Sequence, residues 1–102
     1  MKKFHVVVSE EAASDIDNLF DFIVTEYKSE LTATRYINGL ERTIQSLSQS
    51  PEIYRLQTAS FFMQFDSKVR RINYKKMAII YSVYGHYVYI QRIVASSTIP
   101  EI

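Results

Sequence analysis

Three arginines, four tyrosines and one histidine near the end of the chain are the residues best equipped for chemistry. Arg70, Arg71 and Arg92 bring fixed positive charge, and Tyr81, Tyr84, Tyr87 and Tyr89 interleave with them, with His86 between two tyrosines. Guanidinium groups suit bidentate contact with phosphate or carboxylate. Tyrosine rings accept a stacked base or anchor a protein interface. The basic character is local: net charge is only +1, yet from Arg55 onward seven basic residues stand against two acidic ones. Up to Glu30 the balance reverses, with seven acidic residues against three basic. A basic surface on a near-neutral protein suits an anionic partner; equally, Lys and Arg guard strand edges against aggregation.

Other chemistries are thin. The chain has no cysteine, which excludes a disulfide scaffold, a thiolate zinc site and a cysteine nucleophile. Asp15, Asp17, Asp21 and Glu26 are spaced around the outer face of a helix, so they read as a solvated surface rather than a metal or acid/base site. His5 reads as a strand residue rather than a base. No metal and no cofactor is expected.

These residues must be positioned by the stretch Val69–Val94, which is dense in β-branched and aromatic residues and fits a pleated, half-buried surface. Lys75-Lys76 and Gly85-His86 break it into three antiparallel strands, about 69–74, 77–84 and 87–94. Gly85-His86 suits a two-residue type II′ turn, whereas Lys75-Lys76 is poor chemistry for a tight turn. If Tyr84 pairs with Tyr87, then Tyr81 faces Ile90 and Ile79 faces Arg92. Strict alternation gives one apolar face with Ile72, Tyr74, Met77, Ile79, Tyr81, Val83, Val88, Ile90 and Val94. Arg70 and Arg92 join that side, where Arg92 finds backbone or a helix carboxylate. The opposite, open face carries Arg71, Ile80, Ser82, Tyr84, Tyr87, Tyr89, Gln91 and Ile93.

The upstream chain supplies the cover. Residues 3–8 read as a short strand beside the C-terminal sheet, buried on both faces. Ser9 is an N-cap, followed by Glu10 and Glu11 at the positive helix end and an apolar stripe at Ala12, Ile16, Leu19, Phe20, Ile23 and Tyr27. A second helix over about 30–49 carries Ala33, Tyr36, Ile37, Leu40, Ile44 and Leu47, with Gly39 tolerated for close helix–helix approach. Ser50-Pro51 stops it, and the short link at 28–30 makes an antiparallel hairpin. Pro51, Ile53, Tyr54 and Leu56 are expected beneath the helices. Phe61, Phe62, Met63 and Phe65 read as core, or as an exposed patch for a partner. With 102 residues, 47% hydrophobic and 23% charged, the chain reads as one globular α+β domain over 1–102. No apolar run reaches membrane-spanning length and no signal segment is present, so a cytoplasmic protein without membrane contact is expected.

Order and spacing resemble the RelE/ParE family of type II toxin–antitoxin (plasmid stabilisation) systems. The likeness lies in Ala12-Ala13-Ser14-Asp15-Ile16 with Phe20-Asp21-Phe22-Ile23, in Leu47-Ser48-Gln49-Ser50-Pro51 with Arg55, and in Val69-Arg70-Arg71-Ile72, Ala78-Ile79-Ile80-Tyr81-Ser82-Val83 and Val88-Tyr89-Ile90-Gln91-Arg92-Ile93. The resemblance implies a growth-inhibiting cytoplasmic toxin that forms a hetero-oligomer with a neutralising antitoxin. Its ParE-like members poison DNA gyrase; its RelE-like members cut mRNA on the ribosome without a metal. Cleavage by 2′-OH attack would draw on Arg70, Arg71 and Arg92 with Tyr84 or His86. Ala95 stands about where many RelE-like relatives carry a histidine, and 94–102 hold no titratable side chain except Glu101, so the resemblance favours the ParE-like side. A binding module of the same fold without toxicity is the third reading. Antitoxin or target is expected to meet Arg71, Ile80, Tyr84, Tyr87, Tyr89 and Ile93 on the open face, with Phe61 and Phe62 as further anchors.

Overall fold

The computed structural model describes residues 3–100; Lys2 and Glu101 lie outside that range. Strand β1 (His5–Val8) leads into helix α1 (Glu10–Tyr27) and helix α2 (Glu30–Ser46). Strands β2 (Arg70–Tyr74), β3 (Met77–Tyr84) and β4 (Tyr87–Ala95) follow a segment with short 3-10 turns at Pro51–Ile53 and Ser60–Gln64. A third such turn, Ser96–Thr98, comes after β4. The sheet order is β1-β4-β3-β2, with β1 parallel to β4 and the other pairs antiparallel.

Local chemistry accounts for the elements. Both helices are serine-capped: the Ala12 N–H donates to Ser9 Oγ at 3.0 Å and the Thr32 N–H to Ser29 Oγ at 3.1 Å, each satisfying an orphan donor of the first turn. Lys28 takes the left-handed conformation between the helices (φ 51°) and lets α2 fold back on α1. The Gly85-His86 turn has positive φ at Gly85 alone, the sign pattern of a type II′ turn. Lys75-Lys76 does make a two-residue turn, closing Tyr74 against Met77 with Lys75 at φ 52°. A left-handed lysine costs roughly 1 kcal/mol or more. The Lys75 ammonium lies 5.5 Å and 5.6 Å from the Tyr36 and Tyr74 ring centroids, contacts that offset part of that cost.

The two helical stripes cover the sheet as expected, except that Tyr27 is exposed. The main core joins Ala12, Ile37, Leu40, Ile44 and Leu47 to Ile72, Ile79, Tyr81, Val88, Ile90 and Ile93. Burial of each such aliphatic side chain contributes roughly 1.5–3 kcal/mol. Gly39 serves helix–sheet rather than helix–helix approach: a Cβ there would lie 2.8 Å from Tyr74 Cζ and nearer still to its hydroxyl.

Four expectations are corrected. A bulge at Ile80/Tyr81 lets Ile80 face Arg92 and Ile79 face Ile93. The extra β4 residue, Gln91, shifts the alternation by one, which sends Ile93 under the helices and moves Arg92 and Val94 to the other face. Half of that other face is itself covered: Phe62, Val69, Ala78, Ile80 and Ile99 form a second, smaller core with Phe61, Phe65 and Val94 packed on it. Ile93, Ile80 and Phe62, expected as partner anchors, are therefore only 3%, 0% and 2% exposed. Strand β1 is an edge strand with Val7 and Val8 exposed rather than a strand buried on both faces, and Ile53 and Leu56 are exposed rather than beneath the helices.

Candidate functional site

What stays open on the second sheet face is the end nearest the Gly85-His86 turn. Pairing places Tyr84 beside Tyr87 and Ser82 beside Tyr89, and β1 extends the rows with His5 next to Tyr87 and Val7 next to Tyr89. The exposures are 47% for Tyr84, 46% for Tyr87 and 36% for Tyr89. Tyr87 and Tyr89 stack at 5.9 Å between centroids, Tyr84 lies 6.2 Å from Tyr89, and the His5 ring is 5.5 Å from Tyr87.

Asp66, which sequence reasoning did not single out, fixes one margin of this surface. Its carboxylate accepts from the Tyr84 hydroxyl at 2.6 Å, the Ser82 hydroxyl at 3.1 Å and the Ser67 N–H at 2.7 Å. The Tyr84 bond is the main cause that holds its pKa below the ordinary carboxylate value, despite an opposing effect of partial burial. The same bond pushes the Tyr84 phenol up. Asp66 sits in an irregular segment with no periodicity, so nothing in the sequence marks it. Beyond Tyr89, Gln91 and Arg92 line a small polar cleft with Glu11, Gln64 and Phe65.

The five residues proposed for catalysis do not converge. Arg70 lies on the helix side, where Nη1 donates to the carbonyls of Glu52 and Tyr54. Beside it the buried Tyr81 hydroxyl donates to the Pro51 carbonyl at 2.6 Å, and desolvation pushes that phenol well above its ordinary pKa. Arg71 is half-buried on the opposite face, its Nε donating to Asn73 Oδ1 at 2.9 Å. Arg92 finds a helix carboxylate, as expected, through the bulge rather than from the apolar side: Nε and Nη2 donate to the two oxygens of Asp15 at 2.8 Å and 3.0 Å. Asp15 is thus no outer-face carboxylate; it flanks the α1 stripe and also accepts the Ile93 N–H. His86 is exposed in the turn.

On the other side of the molecule, a groove of about 760 Å³ opens between the tip of the helical hairpin and the Lys75-Lys76 turn. Leu19, Phe22, Ile23 and Tyr27 of α1, Tyr36 of α2 and Met77 of β3 form its apolar wall, and Ala95 and Ser96 line its far side. Phe22 and Tyr27 are exposed there, and Leu31 is exposed at the same helical tip. Neither residue was marked out: Phe22 lies off the helical stripe, and Tyr27 reads as its last member. No helix among the described residues is long and apolar enough to cross a membrane.

Comparison with known proteins agrees with this geometry. A chain of a solved structure described as the chromosomal ParDE TA system from P. aeruginosa superposes with a TM-score of 0.76 at 17% identity, covering 91% of this chain and 96% of that one. At that identity the likeness speaks for the fold. No curated protein matches the sequence. The family described as the ParE toxin of type II toxin-antitoxin system, parDE, matches residues 6–100. Covered over nearly its whole length by that family's pattern, the chain belongs to the ParE toxins of type II toxin–antitoxin systems.

Proposed function

We propose that this ParE-family chain arrests growth in the cytoplasm by gripping a protein target such as DNA gyrase, and that a cognate antitoxin neutralises it in a hetero-oligomer. One observation carries the choice of target: the side chains suited to phosphate chemistry do not gather around one point, and three of them are engaged elsewhere. RNA cleavage by 2′-OH attack needs a proton acceptor, positive charge and a proton donor around one phosphate. Arg70 is spent on carbonyls behind the sheet, Arg92 on Asp15 and Tyr84 on Asp66. A phenol already donating to a carboxylate, with its pKa raised by that bond, is a poor general base.

The groove supports the antitoxin. Exposed apolar surface rimmed by charge is a usual mark of an interaction site, and Phe22 and Tyr27 stand there beside Lys75 and Lys76. An amphipathic segment carrying apolar and acidic side chains matches that surface. The solved ParDE relative is itself a toxin–antitoxin system.

Expression without antitoxin tests the reading. Growth arrest with double-strand DNA breaks and an SOS response is the expected outcome. New in-frame breaks in cellular mRNA, with DNA intact, would assign a RelE-like endoribonuclease instead. Unchanged growth would assign a binding module without toxicity.

A further inference from the structure

The tyrosine surface at the Gly85-His86 end has a chemical preference of its own. The Tyr84 and Tyr87 rings lie 6.2 Å and 5.9 Å from that of Tyr89, and a tyrosine face attracts a cation. Elsewhere in this molecule that attraction is met internally, by Lys75 over Tyr36 and Tyr74. Among the described residues no cation is recorded over the other three rings. The charge bonded directly to them is negative. Asp66 touches Tyr84 directly, and Glu11 lines the adjoining cleft. Arg92, which lines the same cleft, is paired with Asp15. A carboxylate has about four acceptor positions; Asp66 fills three with Tyr84, Ser82 and the Ser67 N–H, and the fourth holds the Ser67 hydroxyl at a long 3.5 Å, a contact that an incoming donor can displace.

We infer that this platform receives an arginine side chain of a protein partner, its guanidinium stacked on the tyrosine rings and its N–H edge directed at the Asp66 carboxylate. Arginine fits better than lysine because a planar, weakly hydrated guanidinium stacks on a ring and forks onto a carboxylate at once. Single-stranded nucleic acid also stacks on aromatic side chains, but it requires a positive groove for its phosphates, and the charged group bonded to this platform is the Asp66 carboxylate. The inference rests on the reading that this chain works by meeting proteins.

The test is an NMR titration of the full-length chain, made by cell-free synthesis with labelled tyrosine. Three probes are compared: an acetylated Ser-Arg-Ser-Arg-Ser amide, the same peptide with citrulline for arginine, and hexauridylate. The arginine peptide is expected to move the ring signals of Tyr84, Tyr87 and Tyr89 and to leave Tyr36 and Tyr74 still. Citrulline, isosteric but uncharged, should bind about tenfold more weakly. Asp66→Asn should weaken the arginine peptide by a similar factor, and Tyr89→Leu should lower its affinity without altering the fold. Equal response to arginine and citrulline, no response to either, or tighter binding of hexauridylate would overturn the proposal. The titration requires neither toxicity nor an antitoxin, so its failure is separable from failure of the growth assay.

Discussion

Asp15 on the first helix holds Arg92 on the last strand by a two-pronged contact, 2.8 Å and 3.0 Å, and the carboxylate oxygen bonded to Arg92 Nε also accepts the Ile93 N–H. One side chain therefore satisfies a guanidinium and a backbone donor where β4 has run past its neighbour β1. Asp15→Ala should lower unfolding free energy by about 2 kcal/mol, the cost of stranding partly buried donors. Asp15→Asn, which keeps an acceptor for Ile93, should lose less. Urea denaturation of both variants measures the difference, and equal losses would refute the double role.

The second core makes Ile80 and Phe62 structural. Ile80→Ala and Phe62→Ala should each destabilise by about 2–5 kcal/mol, whereas Tyr87→Ser, at an exposed position of the same sheet face, should cost little. Thermal melts of the three variants distinguish a covered half-face from a fully open one.

Gly39→Ala sets a gain against a clash. Alanine is worth about 1 kcal/mol over glycine inside a helix, but the new Cβ meets the Tyr74 ring, and overpacking costs roughly 1–3 kcal/mol. The single variant should be destabilised. In a Tyr74→Ala background the same change should stabilise, and a double-mutant cycle reads the reversal directly.

The Tyr84–Asp66 bond has a pH signature. It depresses Asp66 in the folded state, so the stability it contributes is present above the ordinary carboxylate pKa and is lost as pH falls through the depressed value. It raises Tyr84, so the contribution is present below the ordinary phenol pKa and lost as pH climbs past the raised one. Melting temperatures of the wild type and Tyr84→Phe should differ most at neutral pH and converge toward both extremes.

Groove substitutions should separate antitoxin binding from folding. Phe22→Ser removes an exposed ring and should weaken the antitoxin complex by about 1–2 kcal/mol with an unchanged melting temperature for the free chain. Lys75→Glu with Lys76→Glu should slow association and reduce its salt dependence. Surface plasmon resonance with the product of the adjacent open reading frame provides the measurement.

Much of this architecture is legible from residue spacing. The two helical stripes, the Ser9 cap, the Gly85 turn and three strand positions follow from period, capping chemistry and turn residues. The bulge does not. Adding one residue opposite Ile80 leaves composition and hydrophobic pattern intact, because Ile93 and Val94 are both apolar and either reads as core. A single slip thus exchanged Ile93 for Val94 and carried Arg92 across the sheet. The 59–66 segment hides its part for a different reason: 3-10 turns have no long period, so nothing distinguishes buried Phe62 from exposed Met63. Arg70 was placed on the correct side, but its carbonyl partners come from an irregular stretch no pattern could locate.

The parallel register of His5 with Tyr87 and Val8 with Ile90 ties the beginning of the chain to its end. During synthesis the first strand therefore gains its strand partner only once residues 87–90 are made, and closing so long a loop is slow. A copy that stops short of β4 lacks the completed sheet, so the tyrosine rows that span β3, β4 and β1 come into being only once β4 is in place.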